Sequence, residues 1–147
     1  MANFNFNHMM QGILGNMSEQ SAEELATEFS PYLFDNETIQ MGYKLIRDVI
    51  LFTDIRIIFV DKQGATGKKT SFKSIFLSHI IDVEMETAGR SFDDSEITIT
   101  YLKNVNRQSR HEEHIHTTFE FPKSTDILQL YRFLGNLVVQ NREEING

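Results

Sequence analysis

From Thr38 onward, apolar and polar residues alternate with a period of two, the pattern of strands that bury one face. The expected strands are Thr38–Leu45, Arg47–Thr53, Arg56–Asp61, Thr70–Phe76, Ile80–Glu86, Glu96–Leu102 and His114–Phe121. In the fifth, Ile81, Val83 and Met85 fall on one side, and Asp82, Glu84 and Glu86 on the other. In the sixth, Ile97, Ile99 and Tyr101 alternate with Thr98 and Thr100. In the seventh, Ile115, Thr117, Phe119 and Phe121 alternate with His114, His116, Thr118 and Glu120. Such alternation predicts antiparallel sheets with one wet face. Turn residues punctuate the series at Gly64 and Gly67, at Gly89, and through the polar stretch Asn104–Glu113.

Two strands depart from the alternation. Val49, Ile50, Leu51 and Phe52 are apolar on both faces, and so are Ile57, Ile58, Phe59 and Val60. Each face then needs a cover, either the N-terminal helix or a second copy of the chain. That helix is expected to start at Ser21, which forms a capping box with Glu24. Leu25 and Phe29 share its apolar face, and Pro31 closes it. Ile13, Leu14 and Met17 suggest a shorter helical turn ahead of it. A second helix follows Pro122, with Ser124 as N-cap and Asp126 in its first turn, where the helix dipole favours an acid. Ile127, Leu130, Tyr131, Leu134, Leu137 and Val138 recur at helical spacing along it. The residues alone therefore describe a β-sandwich or open barrel with a helix plugging one end. The organisation is a tail over 1–10, a helical segment over 11–35, and a β-domain with its C-terminal helix over 36–142. Phe4, Phe6, Met9 and Met10 make the tail either mobile or a strap that docks on a neighbouring surface.

At 147 residues, the chain is long enough to bury a core without disulfides, and it has no Cys. Its start lacks the basic flank and apolar core of a signal peptide, and no run approaches a membrane span. A cytoplasmic location is the expectation. The net charge of -7 disfavours nucleic acid and anionic membranes as partners. The acidity is concentrated before Lys44, in Glu19, Glu23, Glu24, Glu28, Asp35 and Glu37.

Three groups of residues invite a chemical reading. Gly64 to Lys69 looks like a phosphate cradle, but two residues separate Gly64 from Gly67-Lys68, where a P-loop needs four and then Ser or Thr. It reads as a hairpin loop, with Lys68, Lys69 and Lys73 as a local positive spot. His111, His114 and His116, with Glu112 and Glu113, are spaced wrongly for a helical zinc site and read as exposed strand residues. Glu86, Asp93, Asp94 and Glu96 lack a nucleophile or partnered base nearby, as does His79. No catalytic residue, metal or cofactor is expected.

Six motifs in order carry a resemblance: Gly12-Ile13-Leu14-Gly15-Asn16, Tyr43-Lys44-Leu45-Ile46-Arg47-Asp48, Phe52-Thr53, Val60-Asp61-Lys62-Gln63-Gly64, Thr66-Gly67-Lys68-Lys69 and Glu86-Thr87-Ala88-Gly89. Together they resemble the bacterial pleckstrin-homology-like (PH-like) domain family, formerly a domain of unknown function. The resemblance implies seven antiparallel strands in two orthogonal sheets, capped by a C-terminal helix. It also implies a closed cyclic homo-oligomer, with five copies as the expected number, and a hydrophilic surface that binds other proteins. Enzymatic activity is not a property of the family. The candidate interaction surface comprises Asp61, Lys62, Gln63, Lys68, Lys69, Glu86 and Thr87. The alternative is an anionic ligand or phospholipid headgroup held at Lys68, Lys69 and Lys73. The chain departs from the family pattern at Asp54-Ile55-Arg56 and by about one residue of register at Arg90–Glu96.

Overall fold

The structure, a computed structural model, describes residues 19–46, 48–63, 69–87 and 94–147, and it leaves aside the side chains of 19–23, 62 and 63. The expected strap, the helical turn at Ile13–Met17, and Gly64, Gly67, Lys68 and Gly89 lie outside the described residues. The element order is α1 (Glu19–Phe29), a 3-10 turn (Ser30–Tyr32), β1 (Ile39–Lys44), β2 (Val49–Thr53), β3 (Arg56–Gln63) and β4 (Lys69–Phe76). There follow a 3-10 turn (Leu77–His79), β5 (Ile80–Glu86), β6 (Ser95–Leu102), β7 (His114–Phe121) and α2 (Leu128–Asn146). The strands form two sheets, β1-β2-β3-β4 and β5-β6-β7. The chain divides into two compact units, one reaching to Ile75 and the other running from Phe76 to Gly147.

In the first unit, β2 and β3 pair with Leu51 opposite Ile58 and Val49 opposite Val60. This face meets α1: Phe29, Leu51, Ile58 and Val60 form a buried cluster with Leu25 and Phe72 packed on it. Gly42 of β1 permits the close approach of the helix, because a Cβ there would lie 2.6 Å from Leu25 Cδ1. The opposite face is fully buried at Ile50, Phe52 and Ile57 and half-buried at Phe59. Both faces of the doubly apolar strands are therefore covered without a second copy. The double apolarity is a property of the chain's own core and carries no argument for self-association.

In the second unit, α2 packs along β5. Its buried face is Leu130, Phe133, Leu134, Leu137, Val138 and Asn141. Asn141 donates to the carbonyls of Leu77 and Ile80, both at 2.8 Å, which satisfies a buried turn between the 3-10 segment and β5. Arg107 reaches Glu144 Oε2 and the Asn141 carbonyl, each at 3.1 Å, and so ties the Lys103–Glu113 loop to the same helix.

Several strand ends shift by one or two residues from expectation, and three boundaries change the reading. Helix α1 already includes Glu19, so Ser21 lies inside the helix and not at its N-cap. Helix α2 starts at Leu128, four residues past Ser124. A turn closed by Thr125 N–H to the Pro122 carbonyl occupies the earlier residues, and Asp126 Oδ1 accepts the Leu128 N–H in the capping role. Strand β3 runs on to Gln63, which places Lys62 and Gln63 in the strand and not in the following loop.

Candidate functional site

The two apolar–polar strands β5 and β7 flank β6 in a register that sorts the outward residues into rows. Asp82, Thr100 and His116 stand opposite one another, then Glu84, Thr98 and Thr118, then Glu86, Glu96 and Glu120. The middle rows are knit by hydrogen bonds, Thr98 Oγ1 with Thr118 Oγ1 and Thr100 Oγ1 with His116 Nδ1, both 2.8 Å. The last row sets three carboxylates directly opposite across three strands, an arrangement that weakens a sheet when it stands alone. With Asp82 and Glu84 it makes one end of this wet face acidic.

The expected interaction residues fall in separate places. Glu86 ends β5 on that acidic face, and Thr87 follows it beside a cleft. Asp61 is half-buried in β3, and Lys62 and Gln63 extend the same strand. Lys69 and Lys73 are exposed on one face of the edge strand β4, and Lys68 lies outside the described residues. Among the histidines, His114 pairs with Glu112 at 3.1 Å and His116 with Thr100. No group of three or more His, Asp or Glu side chains converges as a metal site among the described residues.

The strongest polar constellation is one that the sequence did not single out. Glu37 and Arg56 form a buried ion pair, with side chains 0% and 5% exposed. Arg56 Nε donates to Glu37 Oε2 at 2.8 Å and Nη2 to Oε1 at 2.9 Å, a two-point fork. Two further guanidinium donors reach Ser74 Oγ at 2.6 Å and the Tyr32 carbonyl at 2.9 Å. Thr53 Oγ1 donates to Glu37 Oε2 at 2.6 Å and accepts the Arg56 N–H at 3.0 Å. The Phe34 N–H bonds Glu37 Oε1 at 2.9 Å, and the Phe34 ring lies 3.7 Å from the guanidinium carbon.

A tight turn makes this possible. The Glu37 N–H bonds the Phe34 carbonyl at 3.1 Å, and Asn36 takes a φ of 63°, which Asn tolerates. Burial pushes the Glu37 carboxyl up, but the bonds from Arg56, Thr53 and Phe34, with the charge of Arg56, outweigh it and hold the group below its ordinary value. The one available signal was a lone Arg at the start of an apolar strand. Its partner lies 19 residues away, and no local period links the two.

His79 also has a displaced equilibrium. Burial and then the positive charge of Arg107 favour its neutral form, while a bond with the Leu102 backbone pulls the other way. It sits edge-on to Phe76, with ring centres 6.4 Å apart. No helix among the described residues is long and apolar enough to cross a membrane.

Comparison with known proteins fits this architecture. The chain is 42% identical over 111 residues to the uncharacterized protein YjqA of Bacillus subtilis (strain 168), a span covering 73% of this chain and 89% of that one. The crystal structure of a pleckstrin homology domain from Shewanella amazonensis SB2B is similar at 35% identity and a TM-score of 0.59, covering 79% of this chain and 96% of that one. A DUF1696 family protein with a pleckstrin-homology domain from Shewanella loihica PV-4 is similar at 36% identity and a TM-score of 0.58, covering 80% and 92%. The family model described as bacterial PH domain matches residues 8–138. With that model spanning most of its length, this chain belongs to the bacterial PH domain family.

Proposed function

We propose that the chain is a non-enzymatic, cytoplasmic PH domain that closes head-to-tail into a cyclic ring, five copies in number, and serves as a protein-interaction module. The observation that supports the ring is an exposed apolar patch on the first unit. Tyr32, Phe34 and Ile55 are 49%, 52% and 41% exposed and gather around the Arg56–Glu37 pair. Tyr32 is fixed by stacking on Phe72 at 4.1 Å, and Phe34 by the guanidinium beneath it. Rigid aromatics presented at low entropic cost are what subunit interfaces favour. A patch of this kind that meets a different surface on the next copy generates a ring when the rotation closes. The non-enzymatic reading is supported by how Glu37 and His79 are engaged: Glu37 is locked in the buried pair, and His79 is bonded to backbone.

Light scattering on the purified protein tests the ring. The expected result is one species near five times the 17.1 kDa chain mass. Ile55→Asp, at an exposed turn position, is expected to give a folded monomer. A wild-type monomer at micromolar concentration refutes the ring. Exposed Lys69 and Lys73, on one face of β4 with Ser71 between them, favour a second reading in which an anionic headgroup binds there. Flotation with anionic liposomes at low salt decides it, since absence of binding removes that reading.

A further inference from the structure

We propose that the cleft at the start of α2 receives the Tyr32 ring of the next copy of the chain, with the Ser95 hydroxyl bonded to the hydroxyl of that tyrosine. The proposal rests on the ring reading and deepens it by naming the surface that the aromatic patch meets. The patch belongs to the first unit and the cleft to the second. The contact therefore joins unlike surfaces, as a head-to-tail ring requires.

The cleft has a volume of about 250 Å³, with Met85, Ile127 and Leu128 as apolar lining and Lys123 and Asp126 beside them. That lies below the roughly 300–1,000 Å³ of small-molecule sites. A cavity of about 150 Å³ already holds a benzene ring, so one aromatic side chain is the occupant whose size fits. Ser95 also lines the cleft. It is only 4% exposed, and its Oγ has no hydrogen-bond partner. Buried hydroxyls are normally paired. This one is shut off from solvent, so bulk water does not satisfy it. Met85 has an unbranched, adaptable side chain that can yield to an entering group. A plain phenyl ring would leave the Ser95 hydroxyl orphaned, whereas a phenol brings a ring and a hydroxyl together.

The chain itself offers such a group. Of the exposed large apolar side chains among the described residues, Tyr32 is the one that carries a hydroxyl. One face of its ring is stacked on Phe72 at 4.1 Å, and its carbonyl is held by Arg56. The cleft then has to cover only the half of the side chain that Phe72 leaves open. A ring fixed in advance also loses little freedom on docking.

Charge agrees with the pairing. Residues 1–43 contain no Lys or Arg, and exposed Glu28 and Asp35 flank Tyr32 and Phe34 in the chain. On the other side, Lys123 is exposed at the cleft, and exposed Arg132 lies one helical turn beyond Leu128. The acid at the cleft, Asp126, is engaged by the Leu128 N–H. An acidic border thus meets a basic one, which fixes orientation between copies.

The full chain has no Cys, so engineered cysteines report the contact directly. Tyr32→Cys and Leu128→Cys chains, mixed and mildly oxidised, are expected to form a mixed disulfide, which requires their Cα atoms to come within about 7 Å. Neither variant alone is expected to cross-link. Tyr32→Phe and Ser95→Ala each remove one hydroxyl and keep the fold. Each is expected to weaken association about five-fold by light scattering on dilution. The double variant is expected to lose no more than either single one, because both remove the same bond. Losses that multiply overturn the proposal, as does a disulfide within one chain of the Tyr32→Cys/Leu128→Cys variant. A wild-type ring whose mixed variants form no disulfide overturns this contact and leaves the ring standing. A wild-type monomer overturns both, so the two failures are read separately.

Discussion

Replacing Arg56 by Met tests whether the Glu37–Arg56 pair holds the first unit together. The substitution keeps most of the side-chain volume and removes all four polar contacts: two to Glu37, one to Ser74 and one to the Tyr32 carbonyl. Glu37 would keep only the Thr53 hydroxyl and the Phe34 N–H, with its carboxylate still fully buried. Breaking a buried pair by removing one partner costs about 3–5 kcal/mol, because the remaining charge is left uncompensated. Against a total stability of roughly 5–15 kcal/mol, that is a large fraction. Urea denaturation at pH 7 measures it. The double variant Arg56→Met/Glu37→Leu removes the orphaned charge as well and is expected to recover about 2 kcal/mol or more of the loss.

The pH dependence gives an independent check. In the wild type, the Glu37 carboxyl lies below its ordinary value of 4.5, so the pair's contribution is intact above that pH and is lost as pH falls through the lowered value. In Arg56→Met, burial is opposed only by the Thr53 and Phe34 bonds, so the group lies higher than in the wild type, the variant takes up its proton earlier and the gap to wild type narrows in acid. A loss under about 1 kcal/mol at pH 7, or strict additivity in the double variant, would refute the reasoning.

Three further outcomes follow from the packing. Gly42→Val is expected to cost about 1–3 kcal/mol through overpacking, and Leu25→Ala in the same chain to return part of it, since Leu25 Cδ1 is the atom displaced. Thermal melts of the two single variants and the double variant check this, and an unaltered Gly42→Val melt contradicts it. Gly135→Ala is expected to stabilise by about 0.5–1 kcal/mol, because it gains helix propensity and its Cβ meets no neighbour. His79 is lowered from 6.5, so folding favours the neutral ring, and stability falls as pH drops from 6.5 through the lowered value. His79→Gln is expected to flatten that part of the stability–pH curve, and an unchanged slope rules His79 out as its source.

The strands were legible because their signal is local. Ile80–Glu86 and His114–Phe121 match the expected bounds residue for residue, since each alternates apolar and polar positions without interruption. The start of α2 was not legible: Ser124 and Asp126 are both competent caps, and the Pro122–Thr125 turn decides between them. The double apolarity of β2 and β3 was visible, but what covers each face is a matter of long-range packing. The Glu37–Arg56 pair escaped for the same reason. Its members are joined by the tertiary fold alone, and in the sequence each looks like an ordinary charged residue beside a turn.

The same buried pair links stability to surface. Arg56 closes the turn that begins at Tyr32 by holding the Tyr32 carbonyl, and it supports the Phe34 ring from below. The two most exposed aromatics among the described residues of the first unit are thus positioned by a charge network in which each Glu37 carboxylate oxygen has two partners. A hydrophobic replacement of the pair could preserve the core, as Arg56→Met/Glu37→Leu is built to do. It would not preserve the stacking under Phe34 or the hold on Tyr32. If the patch is a subunit contact, that double variant should recover its stability and still lose its ring. Loss of assembly from a well-folded chain would assign the pair to presenting the patch, whereas an intact ring would leave it a purely internal brace.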